Sequence, residues 1–77
     1  MTPQEILSNL VRDWMKRQRL CMRAAAKRLG MAEMSLWRRV HGHRQWRADE
    51  LLRLSDEGIH VSSELFHALI DEEEISA

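Results

Sequence analysis

At 77 residues the chain has room for one small domain, and a hydrophobic fraction of 44% supplies one core but not the walls of a deep catalytic cleft. A single Cys, Cys21, excludes an internal disulfide, and no apolar run approaches the roughly 18 residues of a membrane span. The formal net charge of zero hides two opposed halves: residues 1–47 hold eleven Lys/Arg against three acids, a balance of +8, whereas residues 48–77 hold one Arg against nine acids, a balance of −8. Such a split predicts an N-terminal half that faces a polyanion. Val, Ile and Thr are scarce while Ala, Leu, Arg and Glu are common, which points to an all-α domain spanning 1–77. The lone Cys fits a reducing compartment, and Met1-Thr2-Pro3-Gln4-Glu5 carries no basic stretch leading into an apolar core, so a cytoplasmic protein is expected.

Five helices follow in chain order. Thr2-Pro3-Gln4-Glu5 is a helix start with a capping Thr, Pro at the first helical position and Glu5 completing a capping box. Ile6, Leu7, Leu10, Val11, Trp14 and Met15 recur at helical spacing, giving a first helix over about 3–18 that ends in Lys16, Arg17 and Arg19. A second helix covers about 22–29, with Leu20 as its hydrophobic staple and Cys21 as a weak cap. Ala24-Ala25-Ala26 offers a flat packing surface, and Gly30 stops the helix in a left-handed conformation. Met31 plugs the turn. A third helix over about 32–41 buries Leu36 and Val40 and stops at Gly42. After His43-Arg44-Gln45-Trp46-Arg47, with Trp46 as a lid on the core, a fourth helix over about 48–57 has Leu51, Leu52 and Leu54 as its core face. Gly58 ends it, and Ile59 and Val61 fold back onto the core. A last helix capped by Ser62 or Ser63 runs to about 72, with Leu65, Phe66, Leu69 and Ile70 apolar. Residues 71–77 read as an acidic, frayed, solubilising tail.

Residues 22–42 are the most informative stretch. Ala26, Leu29, Gly30, Met31, Leu36, Val40 and Gly42, followed by a basic loop and the Asp49-Glu50-Leu51 helix start, have the spacing of two short helices packed at a steep angle. This pattern, over roughly residues 4–70, resembles the lambda-repressor/Cro type of helix-turn-helix DNA-binding domain. The resemblance implies a compact five-helix, lambda-repressor-like fold with the helix-turn-helix in the second and third helices. It also implies a transcriptional regulator of bacterial or phage type, a repressor, that binds a palindromic operator in double-stranded DNA as a homodimer.

With Leu36 and Val40 inward, the resemblance assigns base readout to Glu33, Met34, Ser35, Trp37 and Arg38. It assigns phosphate contact to the start of the second helix (Met22, Arg23) and to His41, His43 and Arg44 around Gly42; Arg19, which can compensate for Met22, and Arg39 are expected to add to these as further cations. Arg can donate two hydrogen bonds to a guanine edge, Glu33 can accept from cytosine, and Met34 or Ala32 can touch a thymine methyl. The pairing of two copies falls to the last helix, through exposed members of Phe66, Leu69 and Ile70, with Ile75. The chain departs from the family at Met22, where a phosphate-gripping Gln is usual, at Glu33, which is often Gln, and at Trp37, which is large for a groove-facing position. Those departures favour an alternative: a protein-interaction module on the same scaffold, of antitoxin or anti-repressor type, with weak or no DNA binding.

No Gly-rich phosphate loop and no nucleophile coupled to a base appears, so an enzyme is not expected. One Cys with scattered His41, His43 and His60 lacks the close ligand pairs of a zinc site. No metal, cofactor, membrane or small-molecule ligand is expected.

Overall fold

A computed structural model describes the backbone of residues 1–76 and the side chains of residues 1–74. These residues form five helices and no strand: α1 (Pro3–Gln18), α2 (Met22–Arg28), α3 (Glu33–Val40), α4 (Ala48–Asp56) and α5 (Ser63–Ser76). The all-α expectation holds, and the helices fall within a residue or two of their expected bounds, except that α5 runs farther.

α1 starts as its sequence dictates. The Thr2 hydroxyl accepts from the Glu5 N–H at 3.2 Å, and the Glu5 carboxylate accepts from the Thr2 N–H at 3.3 Å, so two otherwise orphaned donors are satisfied reciprocally. At α2 the Cys21 sulfur takes the capping role, accepting from the Ala24 N–H at 3.5 Å. The helix ends share one device. After α2, the Met31 N–H reaches back to the Ala26 carbonyl at 2.9 Å and the Gly30 N–H to Lys27 at 3.2 Å. After α3, His43 reaches Arg38 at 2.7 Å and Gly42 reaches Arg39 at 3.2 Å. Both are Schellman motifs, and they need a left-handed residue, which Gly30 (φ 66°) and Gly42 (φ 79°) supply at no steric cost. α1 ends in the same pair of bonds, Leu20 to Met15 and Arg19 to Lys16, but its left-handed residue is Arg19 (φ 54°). Nothing in the residue types near 19 announces that.

The core is one cluster: Leu7, Val11 and Trp14 of α1, Ala25, Ala26 and Leu29 at α2, Leu36 and Val40 of α3, Trp46, then Ala48, Leu51, Leu54, Ile59, Leu65 and Leu69. Met31, Leu20 and Val61 pack against it from the side, as their positions after each helix predict. Leu52 corrects the expected core face of α4. It is 64% exposed, because with Leu51 and Leu54 buried, the 3.6-residue repeat turns Leu52 outward.

Polar side chains lock the loop before α4 onto α1. Gln4 clasps the Trp46 backbone, donating to its carbonyl at 3.0 Å and accepting from its N–H. The buried indole N–H of Trp46 donates to the Ser8 hydroxyl at 3.1 Å, and that hydroxyl donates to the Arg39 carbonyl at 3.0 Å.

The acidic segment is not frayed where it is described. α5 continues through it, Glu72 accepts from the Gln4 amide at 3.1 Å, and Glu73 accepts from the Ala48 N–H at 2.8 Å. Glu73 therefore satisfies a free donor at the first turn of α4, where the helix dipole favours an anion. The side chain of Ile75 and residue 77 lie outside the described residues.

Candidate nucleic-acid interface

α3 is held from below and at its end. Leu36 is fully buried and Val40 is 4% exposed. α1 takes up the carbonyls of the last turn: Ser8 donates to Arg39, and the Arg12 guanidinium donates to Val40 at 3.0 Å. With Gly42 closing the helix, α3 has its inner face, its C-terminus and its direction fixed by named partners. Its other face is open. Glu33, Met34, Trp37 and Arg38 are exposed, and Ser35 is half-buried. Four of the five residues expected to read bases therefore share one open face, with Ser35 at its edge.

The expected phosphate contacts divide. Arg19, Arg23, His41, His43 and Arg44 are exposed, Arg19 at the end of α1, Arg23 in the first turn of α2, and the rest around Gly42. Arg39 is turned inward instead. Its guanidinium binds the Glu50 carboxylate at 2.8 Å and donates to the Ser35 carbonyl at 3.0 Å, with both paired side chains only about a tenth exposed (11% and 10%). Glu50 also accepts from the Arg47 N–H at 2.8 Å, so one buried carboxylate starts α4 and fixes α3. A guanidinium placed and neutralised in this way is committed within the fold, which corrects the phosphate assignment of Arg39. By contrast, the side chains of Lys16, Arg17, Arg19, Arg23, Lys27, Arg38 and Arg44 make no ion pair or hydrogen bond among the described residues.

An arrangement that the residue pattern did not predict sits at the end of α3. The Trp37 ring stacks on His41 (centroids 4.2 Å apart, planes at 20°) and on His43 (5.4 Å, 5°). The His41 Nδ1 lies 2.9 Å from the Trp37 carbonyl, which can only accept, so Nδ1 carries the proton of that bond. The residue just past the left-handed position is apolar and packed on the core after α1 (Leu20) and α2 (Met31). After α3 it is His43, exposed and stacked on an exposed indole. The i, i+4 spacing of Trp37 and His41 was the available signal for the first contact. The second depends on the chain reversal at Gly42.

The expected pairing surface needs a correction. Leu69 is 1% exposed and belongs to the core, while Phe66 and Ile70 are half-buried at its edge. Phe66 instead lines a shallow groove with Leu51, Leu52, Ser55 and Val61. A second groove, between the loop 42–47 and Glu72 and Glu73 of α5, is mixed in charge and open. Among the described residues no three His, Cys, Asp or Glu side chains converge as metal ligands, and no helix is long and apolar enough to cross a membrane. No protein-family model, no curated protein and no solved structure matches the chain.

Proposed function

We propose that the chain is a sequence-specific DNA-binding regulator of transcription, a repressor of bacterial or phage type, which reads the major groove with α3 as a homodimer. The observation that carries this is the open face of α3. A short helix, braced on its inner side and at its C-terminus, exposes Glu33, Met34, Trp37 and Arg38 beside cations that have no side-chain partner among the described residues. A major groove admits one helix, and the side chains along its outer face meet base edges. The reading also draws on the likeness of residues 22–42 to the lambda-repressor/Cro helix-turn-helix, in which α2 and α3 are the paired helices. Arg38 and Glu33 supply directional contacts to bases, Ser35 a shorter polar one, and Arg19, Arg23, Arg44, His41 and His43 hold the backbone. Two copies reading half-sites one helical turn apart, about 34 Å, double the few contacts one small domain can make. Phe66, Ile70 and the exposed Leu52 supply apolar surface for that pairing.

A second reading, a protein-interaction module of antitoxin or anti-repressor type, is favoured by the exposed apolar groups Trp37 and Met34 on the same face. Selection from random-sequence duplex DNA at low salt, followed by sizing of the complex, separates the two. An enriched, two-fold symmetric site bound by two chains supports the regulator. Failure of any sequence to enrich rejects it and leaves the interaction module.

A further inference from the structure

We infer that Met34 and Trp37 read the C5-methyl group of a pyrimidine in the major groove. This rests on the DNA-binding reading above and adds to it the chemical group recognised. Every other large apolar side chain from Met22 to Val40 is buried or packed against the core, yet Met34 is 54% and Trp37 38% exposed. They stand three positions apart on one helix, so their side chains are neighbours and form one apolar strip. Isolated exposed apolar residues need no explanation. A paired strip on the face of a short helix, next to the Arg38 guanidinium and near that of Arg44, neither of which has a partner among the described residues, calls for a surface both apolar in one spot and anionic around it. Duplex DNA is such a surface, and the one apolar group that a base edge offers in the major groove is the pyrimidine C5-methyl.

Two further observations fit. The indole is already ordered by its stacks on His41 and His43, so little freedom is lost when it meets a methyl group. Glu33, one position before Met34, can only accept hydrogen bonds when ionised, and it therefore suits a cytosine amine and opposes the thymine carbonyl. The methyl has two sources, thymine and 5-methylcytosine, and Glu33 favours the second at the base it faces.

The test uses four random-sequence duplex pools: thymine with cytosine, uracil with cytosine, thymine with 5-methylcytosine, and uracil with 5-methylcytosine. Transfer of one methyl group out of water corresponds to about a fourfold change in affinity. The uracil–cytosine pool, which presents no methyl, is expected to bind the full chain about fourfold more weakly per methyl contacted. Restoration by thymine or by 5-methylcytosine identifies the source. Met34→Gln, which leaves the ring stack intact, and Trp37→Ala are expected to shrink the difference between pools while circular dichroism shows the helices retained. Equal binding of a common selected sequence in all four pools overturns the inference and leaves DNA binding standing. A difference between pools that persists unchanged in both variants places the methyl contact elsewhere and also overturns it. No enrichment in any pool overturns the DNA-binding reading, and the inference with it.

Discussion

Arg38 and Arg39 follow one another on α3 with the same charge, and the helix turn between them separates an open side chain from a committed one. Arg39 is paired with Glu50 where both side chains are only about a tenth exposed, so removing either partner leaves a charge with little access to water. Breaking such a buried pair costs about 3 kcal/mol or more, whereas replacing both partners with apolar groups of similar size is often near neutral. Glu50→Ala is therefore expected to destabilise the domain by about 3 kcal/mol in urea unfolding. Arg39→Met combined with Glu50→Leu is expected to recover most of that, leaving the lost contacts to the Arg47 N–H and the Ser35 carbonyl. If the double variant is as unstable as the single one, the cost lies in packing and not in the unpaired charge. On the open side, Arg38→Ala is expected to relax base preference, at about 1–3 kcal/mol of discrimination, while Arg44→Ala weakens every sequence alike. Equal losses on all sequences for both would remove Arg38 from base readout. The sequence pattern put both arginines at the DNA because both are basic and both sit on the third helix. It could not show that Glu50, eleven positions on and expected only as part of a helix start, would claim one of them.

The helices themselves were largely legible, since several boundaries rest on a local rule. Thr2, Pro3 and Glu5 start α1, Gly30 and Gly42 stop α2 and α3, and the apolar repeat places Leu7, Val11, Leu36 and Val40 in the core. Three features escaped, and only the first is set by contacts distant in sequence. The acids at 72 and 73 read as a solvated tail until α5 brought them to Gln4 and to the first turn of α4. Leu52 read as core because it lies between two leucines that are. The end of α1 is a third case, and it can be tested. Arg19 makes the turn that Gly makes elsewhere in this fold, and a side chain in the left-handed region costs about 1–2 kcal/mol. Against this, Gly gains freedom in the unfolded chain worth about 0.5–1 kcal/mol. Arg19→Gly is therefore expected to stabilise the domain by about 0.5 kcal/mol, a rise in melting temperature of a few degrees for a chain this short. A lower melting temperature would mean that the Arg19 side chain contributes packing or charge interactions that outweigh the strain.

At the scale of the whole molecule, the charge division by sequence is partly undone by folding. Arg28 pairs with Glu57 at 3.7 Å, Arg39 with Glu50, and Arg53 donates to the Gly30 carbonyl at 3.4 Å, so contacts between basic and acidic halves hold α2 and α3 to α4 and the turn after it. The charge left for a polyanion is smaller than the +8 count implies. Of the residues assigned to phosphate, Arg19, Arg23 and Arg44 remain as permanent cations once Arg39 is withdrawn. Each phosphate neutralised on B-DNA contributes about −0.9 to the slope of log affinity against log salt. Three per chain give a slope of about −5 for a bound pair, against about −7 if Arg39 also reached the backbone. A titration over salt concentration with a selected duplex measures this directly. Arg44→Ala is expected to flatten the slope by about 2 for the pair, one unit per chain. The Arg39→Met/Glu50→Leu variant, folded and unable to offer a cation at position 39, is expected to leave the slope where it was. A slope that flattens in that variant would return Arg39 to the DNA and would require its pairing with Glu50 to open on binding.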